Sequence, residues 1–331
     1  IDVDLATLPN NVQLEKAIQS GARPIWDDCS DNIAFHREFG DRTATDEAFS
    51  KADHIVRRKL VINRITTNSM ETRGCIAEYD AFDDRYHLRG TLQAPHMIRM
   101  ILANAIFKQP ITKFHVFCDD VGGGFGMKGG CYAEYPLSLW ASELLGRPIK
   151  WVSERSDAFL GDEQARDHSY EAELALDSNG IFLGLRTRNI TNIGAYYTSD
   201  RATLGAFDSL GGIAGTYNTP AIFAEASGIF TNTQSTGPYR GAGRPEAAYI
   251  IESMIDTAAR KLKIDSVEID IFIPSINLGI EYDGFHWHKD KEDKDLKKNI
   301  FALSKNINLI RVREEPLKYL SENDIKVSSD F

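Results

Sequence analysis

The stretch VGGGFGMKGG (residues 121–130) holds six glycines in ten residues and decides how the first part of the chain is interpreted. It follows a predicted strand, TKFHVFC (112–118), and precedes a helix predicted from Tyr132 to Leu145. Consecutive glycines let the backbone approach a ligand closely and present N–H groups to it. Because a helix N-terminus favours negative charge, the stretch suits an anionic cofactor.

Three interpretations of these glycines compete. A P-loop requires Ser or Thr after its lysine, but Gly129 follows Lys128, so that motif is excluded. A dinucleotide fingerprint, G-x-G-x-x-G, is satisfied by Gly124, Gly126 and Gly129. Its acidic ribose partner would be Glu154, which lies slightly too far along the chain. The third interpretation is a glycine-rich turn that binds nothing.

Composition indicates an ordinary soluble protein long enough for two domains. The 331 residues are 42% hydrophobic and 26% charged, with a net charge of −10. An acidic chain does not favour sequence-blind binding to nucleic-acid phosphates. The sequence has no apolar run of membrane-spanning length and no signal-peptide pattern. Because the first residue is Ile1 rather than Met, we expect a fragment or a processed product.

The four cysteines, Cys29, Cys75, Cys118 and Cys131, contain no C-x-x-C pair. A structural zinc site or a cysteine-held iron–sulfur cluster is therefore not predicted. Separate thiols fit a reducing compartment, so a cytoplasmic location is expected. We expect all four side chains to be small core residues.

The other patterns alternate many strands with few long helices, which predicts the α+β class with mixed sheets. An Asn-Gly pair predicts the turn of a hairpin over 168–196. A helix is predicted over 244–262. The amino-acid composition changes near residue 266, where the chain becomes richer in Lys, Asp, Ile and Asn. After that point we predict strand, turn and strand up to Asp283, a charged helix over 290–305, a strand over 307–313 and a short final helix over 314–323.

Several segments resemble, in the expected order, the molybdopterin-binding subunit of the xanthine dehydrogenase and aldehyde oxidase family. The resemblance covers about residues 1–265 and favours the branch that includes the large subunit of aerobic carbon monoxide dehydrogenase. VGGGFGMKG resembles the loop that contacts the pterin in that family. The other matching segments are QAPH (93–96), YRGAGRPEA (239–247), NSMETRG (68–74), IKWVSERSDAFL (149–160), NIGAY (192–196), GIFTNT (228–233) and IESMIDTAARKLKID (251–265).

The resemblance implies roles for individual residues. Gln93 would lie beside the metal centre; its alternative role is a buried amide that fixes a turn. Arg240, with its rigid fork of donors, would face the metal site or the substrate; its alternative is a salt bridge with Glu246 or another acid. The residues implied to present backbone groups to the molybdopterin are Gly123, Gly124, Phe125 and Gly126.

The implied activity is that of a molybdenum hydroxylase, an oxidoreductase that oxidises an aldehyde or an N-heterocycle with water as the oxygen source. The implied cofactor is molybdopterin, in its cytosine dinucleotide form. The implied partners are an iron–sulfur subunit and an FAD subunit, which accept the electrons.

The chain departs from the family pattern in three ways. The carbon monoxide enzyme has a cysteine in its active loop, whereas residues 241–243 contain none, which disfavours carbon monoxide oxidation. Thr72 stands where the family usually has proline. The pattern ends near residue 266, before the second molybdopterin domain and its general-base glutamate. We therefore expect one wall of a cofactor pocket, and no catalysis by this chain alone.

Acidic residues close two predicted strands in the last part of the chain. Asp270 ends the strand VEID, and Glu281 and Asp283 share one face of the strand LGIEYDG because they are two residues apart. Acids at adjacent strand ends can bind one divalent cation such as magnesium, which activates water for phosphodiester cleavage. The alternative is a set of strand-end acids that face solvent.

Residues 267–320 resemble the PD-(D/E)XK nucleases, near the very-short-patch repair endonucleases. The resemblance implies that Asp270 and Glu281 bind Mg²⁺ and that His286 and His288 assist near the scissile phosphate of DNA. Asp283 stands where many relatives have a catalytic lysine, so the motif is incomplete. Trp287 could instead be a surface aromatic residue packed on the helix.

The two patterns meet at Val267-Glu268-Ile269 without a Gly, Ser or Pro linker. We expect a remnant of a preceding N-terminal (hammerhead) domain over 1–22, a first molybdopterin-binding domain over 23–265 and a small α/β endonuclease-like module over 266–331. The join is interpreted as an artefact or a recent recombination. The function indicated first is a molybdenum hydroxylase fragment; the alternatives are a metal-dependent DNA endonuclease and a non-catalytic chimera.

Overall fold

The computed structural model describes residues 3–198, 200–263 and 269–328. The chain divides after Ala258 into two compact units. Residues 264–268, which contain most of the predicted join, lie outside the described residues. The predicted domain boundaries at residues 22 and 265 stay predictions.

Two sheets and one short strand pair build the described part of the first unit. In the five-stranded sheet, with order β1-β11-β10-β9-β2, only β10 and β11 run parallel. The four-stranded sheet has the order β6-β5-β4-β7, and β3 pairs with β8. The strands are β1 (Ile33–Gly40), β2 (His54–Ile62), β3 (Ile65–Thr66), β4 (Gly74–Asp80), β5 (Arg85–Gly90), β6 (Phe114–Phe117), β7 (Ile149–Val152), β8 (Gln164–Ala165), β9 (His168–Leu176), β10 (Phe182–Gly194) and β11 (Ala221–Phe230).

Helices cover the two sheets and create two main cores. On the four-stranded sheet, Tyr135 and Leu139 of one helix join Leu88 in a buried cluster. On the five-stranded sheet, Ile250 and Met254 of another helix pack in the same way. The helices are α1 (Leu14–Ala17), α2 (Arg42–Ser50), α3 (Pro95–Ile101, followed by π-helical turns over Leu102–Phe107), α4 (Glu134–Leu145), α5 (Arg155–Gly161), α6 (Leu204–Gly212) and α7 (Arg244–Leu262).

The second unit is a small α/β sheet with the order β12-β13-β14-β15. Strands β13, β14 and β15 are parallel, and a helix crosses over between β13 and β14, as parallel pairing requires. The elements are β12 (Ile271–Ile273), β13 (Leu278–Asp283), α8 (Phe285–His288), α9 (Glu292–Ser304), β14 (Asn308–Glu314) and β15 (Ile325–Val327).

Most of the predicted elements are confirmed, with some differences. The hairpin of β9 and β10 turns at Gly180, where φ is +83°, and Asp177 Oδ1 accepts hydrogen bonds inside the turn. The final helix over 314–323 is wrong: the segment forms turns that lead into β15, with Asp324 accepting from the Leu320 N–H. Strand β1 and helices α2 and α6 were not predicted; α6 runs through a glycine-rich stretch that resembles a loop in sequence.

The cysteines are only partly as expected. Cys75 is buried, and Cys118 and Cys131 pack against the same core while partly exposed. Cys29 lies outside the cores and its Sγ is 3.8 Å from Asp31 Oδ1, so the expectation of four core thiols is wrong for this residue. All four thiols are free. Among the described helices none combines the length and the apolar character needed to cross a membrane.

We expect the stability of the first unit to depend on the buried imidazole of His168. Burial lowers the pKa of His168 to about 4 in the folded state. In the unfolded chain the same imidazole takes up a proton near its ordinary pKa of about 6.5. Stability should therefore fall as the pH drops from about 6.5 to about 4, by roughly 3 kcal/mol in total. Urea unfolding measured across this pH range should show that the free energy of unfolding depends less on pH in His168→Gln than in the wild type. The same pH dependence in both proteins would contradict the role given to His168.

Candidate functional site

Three segments that are far apart in the sequence meet at the glycine loop, which we define as residues 122–126. Gln93 precedes α3, the loop follows β6, and Arg240 precedes α7. The Gly126 N–H donates to Gln93 Oε1 at 2.8 Å. The Arg240 N–H donates to the Phe125 carbonyl at 2.9 Å. The structure therefore brings together the three segments that the sequence marked as cofactor-binding.

Close contacts explain two of the glycines, one with a side chain and one with the backbone. A Cβ on Gly124 would lie 2.5 Å from Gln93 Cδ. A Cβ on Gly126 would lie 2.3 Å from the Pro238 carbonyl oxygen, and Gly126 has a φ of +108° that side chains rarely adopt. Phe125 between them also has a positive φ, of 51°, and its ring is 42% exposed.

Charged side chains hold both ends of the glycine loop. Glu71 Oε2 accepts from the Gly122 N–H at 2.8 Å and from Lys128 Nζ at 2.9 Å. At the other end Arg201 donates to the Gly126 carbonyl and to Glu163 Oε2. Burial raises the pKa of Glu163, partly offset by the charge of Arg201. Partial burial would raise the pKa of Glu71, but the bonds from Lys128 and Gly122 bring it below its usual value.

Four hydrogen-bond donors at this site have no partner among the described residues. They are the N–H groups of Gly124 and Phe125, the Gln93 Nε2 amide and the Arg240 guanidinium. Because Gln93 Oε1 is fixed by the Gly126 N–H, its amide nitrogen is left to donate elsewhere. Gly124 is buried, so its N–H is the donor that most needs a partner, and a ligand with acceptor atoms and negative charge would supply one.

The contacts of Gln93 and Arg240 distinguish between their alternative roles. Gln93 does fix a turn through Gly126, but the residue is exposed rather than buried. The alternative of a salt bridge is wrong: Glu246 Oε1 pairs with Arg166 at 2.5 Å, and no described acid forms an ion pair with Arg240. Arg166 also lies over the ring of Tyr239, 5.3 Å from its centroid, next to Arg240.

Two features of the structure argue against the dinucleotide interpretation. A short 3₁₀ turn, Met127–Gly129, follows the glycines, and α4 begins only at Glu134. Glu154 is the N-cap residue of α5, and its N–H donates to Asp157 Oδ2 at 3.3 Å. The proposed ribose partner therefore caps a helix.

In the second unit the predicted metal ligands lie side by side, but Asp270 directly precedes β12 and does not end a strand as predicted. The Asp270 N–H donates to Glu281 Oε1 at 3.0 Å, and Asp270 Oδ2 accepts from the Tyr282 N–H. Lys298 Nζ lies 2.6 Å from Glu281 Oε2. Glu281 is buried, so the solvent-facing alternative is wrong for it, whereas Asp270 is exposed.

Asp283 lies on the same face as Glu281, as predicted, but within a buried ion network. It accepts from Arg311 at 2.8 Å and from Arg313 at 2.6 Å. His288 Nδ1 is 3.0 Å from Asp295 and 3.5 Å from Asp283. His286 is exposed and contacts Trp287, which is itself 70% exposed, so the structure separates the two histidines.

Sequence reasoning missed the residues that support the predicted ones. Glu71 and Lys128 lie inside matching motifs, yet nothing in the sequence indicates that they pair. Arg201 and Glu163 belong to no quoted motif. Lys298 stands on a charged helix, where its lysine neighbours are equally good candidates from sequence alone.

Comparison with known proteins identifies the first unit. A family model described as "Molybdopterin cofactor-binding domain" matches residues 25–271. The carbon monoxide dehydrogenase large chain of Afipia carboxidovorans is 32% identical in an alignment of 305 residues that covers 86% of this chain and 38% of the relative. The nicotine 6-hydroxylase large subunit of Paenarthrobacter nicotinovorans is 32% identical over 257 residues, 76% of this chain and 30% of that protein.

Solved structures give the same result. A crystal structure of Cu,Mo-CO dehydrogenase aligns with a TM-score of 0.74 and 33% identity over 80% of this chain and 35% of its own. Quinoline 2-oxidoreductase from Pseudomonas putida aligns with a TM-score of 0.71 and 31% identity, over 80% of this chain and 33% of its own. The chain thus spans about a third of the length of the relatives it matches.

Replacing Gly126 should damage the loop far more than replacing a glycine that only needs a positive φ. Gly126→Ala places a Cβ against the Pro238 carbonyl. We expect this substitution to lower the free energy of unfolding by more than about 2 kcal/mol. Gly146→Ala is the matched control, because Gly146 ends α4 at φ +61° and no atom lies near the position of an added Cβ. We expect this substitution to lower the free energy of unfolding by about 1 kcal/mol. Equal losses in urea unfolding would contradict the close approach.

Proposed function

The chain belongs to the family of molybdopterin cofactor-binding domains, and we propose that it forms one wall of the cofactor pocket in the large subunit of a molybdenum hydroxylase. The observation that carries the proposal is that Gln93 and Arg240 are both hydrogen-bonded to the glycine loop. Among the described residues this leaves four donor groups without a protein partner: the N–H groups of Gly124 and Phe125, the Gln93 amide and the Arg240 guanidinium. A cofactor with phosphate and other acceptor groups would satisfy them.

The residues fit such a cofactor in a specific way. The N–H groups of Gly124 and Phe125 would donate to its anionic part. The Gln93 amide would donate near the metal ligands, as the family resemblance implies. Arg240 is exposed and would orient the substrate or the metal site through its planar fork of donors. When bound, the cofactor supplies the redox chemistry of hydroxylation, with water as the oxygen source.

The substrate class we propose is an N-heterocycle or an aldehyde. The segment 239–245 contains no cysteine, which argues against carbon monoxide, although relatives with that activity match the chain. Other relatives are named for nicotine and quinoline, which favours a ring substrate. The cytosine dinucleotide form of the cofactor and the iron–sulfur and FAD partner subunits are proposed for the complete protein. Its general base would come from outside the residues matched here.

A second candidate function is a Mg²⁺-dependent nuclease in the second unit, and Lys298 is the observation that favours it. The nuclease pattern lacks its lysine at position 283, but Lys298 reaches Glu281 from α9 at 2.6 Å. Asp270, Glu281 and Lys298 would then form the acidic and basic set, with Asp270 and Glu281 as Mg²⁺ ligands. The family match stops at residue 271, so it does not account for this unit.

The cofactor proposal is tested by retention of molybdenum and pterin. The chain, co-expressed with the cofactor pathway, should retain both through gel filtration. Arg240→Ala should lower the content, because a charge-assisted contact is lost. Arg188→Ala, which removes an exposed arginine from β10, is the control and should leave the molybdenum and pterin content unchanged. Wild-type protein without molybdenum or pterin would refute the proposal.

The nuclease candidate is tested by nicking of supercoiled DNA with and without Mg²⁺. Asp270→Asn should abolish nicking because it removes a ligand charge. Asp290→Asn, which changes an exposed acid beyond β13, should leave it intact. Nicking that survives Asp270→Asn would rule out the metal site, and absence of nicking would remove the candidate.

A further inference from the structure

Glu71 makes three contacts at the start of the glycine loop. Its Oε2 accepts from the Gly122 N–H at 2.8 Å and from Lys128 Nζ at 2.9 Å, and its own N–H donates to the Gly122 carbonyl at 3.1 Å. Both backbone polar groups of Gly122, its N–H and its carbonyl, are thus bound by a single residue. Glu71 lies before β4, so it ties the loop to the four-stranded sheet.

Lys128 is the cation nearest to the glycines in sequence, yet it is placed unlike an anion ligand. Its side chain is 0% exposed, and its ammonium group pairs with Glu71. A buried lysine needs such a partner, because an uncompensated charge in the interior is costly. Its carbonyl also accepts from the Gln93 N–H at 3.0 Å. Lys128 therefore connects Glu71 to Gln93 and does not extend toward the unpaired donors.

We propose that Glu71 and Lys128 are a positioning pair that fixes the glycine loop and Gln93 in the shape that receives an anionic ligand. This inference rests on the proposed function in one respect, the anionic nature of that ligand. The pair fixes the loop at Gly122, and Gln93 and Arg201 fix it at Gly126. Between these two points the N–H groups of Gly124 and Phe125 have no partner in the part of the chain that the structure describes, so they can donate to the ligand.

A direct-ligand role for Lys128 makes the opposite prediction for Glu71. If Lys128 bound the anion, Glu71→Gln would free its charge and tighten binding. If the pair positions the loop, Glu71→Gln and Lys128→Met each weaken binding, and the double variant is no worse than either. Inorganic pyrophosphate is the probe, titrated by calorimetry. We expect each variant to raise the Kd about tenfold, the size of one lost charge-assisted contact.

Hydrogen exchange of the loop separates this inference from the proposed function. In peptides covering residues 119–128, amide exchange should be about tenfold faster in Lys128→Met and in the double variant. The double variant leaves no unpaired buried charge, which guards against simple unfolding. Lys150→Met, which removes an exposed lysine from β7, is the control and should exchange like the wild type.

The outcomes are distinct. Unchanged exchange in both variants, or tighter pyrophosphate binding by Glu71→Gln, would overturn the positioning role. Wild-type protein that binds no pyrophosphate would count against the anionic site of the proposed function. The exchange measurement would still decide whether Glu71 and Lys128 hold the loop.

Discussion

The close approach of the glycine loop to its neighbours is the constraint on which the rest of the site depends. Gly126 lies against the Pro238 carbonyl at a distance that admits no Cβ, and a Cβ on Gly124 would displace the Gln93 side chain. This approach allows the Arg240 N–H to reach the Phe125 carbonyl and Gln93 to reach the Gly126 N–H. Residues from three distant segments thereby share one small region. The local cost is a strained backbone, which the surrounding bonds stabilise.

Buried charge surrounds this region and is compensated everywhere it is described. Arg73, almost fully buried, pairs with Asp162 at 2.6 Å and with Glu134 at 2.9 Å, and its guanidinium lies 3.6 Å from the centroid of the Tyr132 ring. Arg201 and Glu163 pair on the other side of the loop. Buried pairs add little net stability, but an alternative arrangement would leave a charge unpaired. They specify the geometry of the site.

The second unit uses buried charge differently. The inner face of α9 carries Asp295 and Asn299, whereas Leu296 and Ile300 face outward, so the polar side of the helix is the buried one. Arg311 binds Asp283, Asn299 Oδ1 and the Asp295 carbonyl. The interior of this sheet is therefore built around an ion network, a property that distinguishes it from the apolar cores of the first unit.

Local sequence patterns were enough to predict the class of the fold, most of the strands, the hairpin at Gly180, helix α7 and the segments that meet at the glycine loop. Periodicity and turn chemistry are local, and the motifs were specific enough to indicate the family. The sequence by itself could not determine the pairing of Glu71 with Lys128, of Arg166 with Glu246, or of Lys298 with Glu281. Each pair joins residues that are distant along the chain, and many acids and bases compete for each partner. Only the tertiary structure decided these contacts, because burial allows a charge to stay only where an opposite charge meets it.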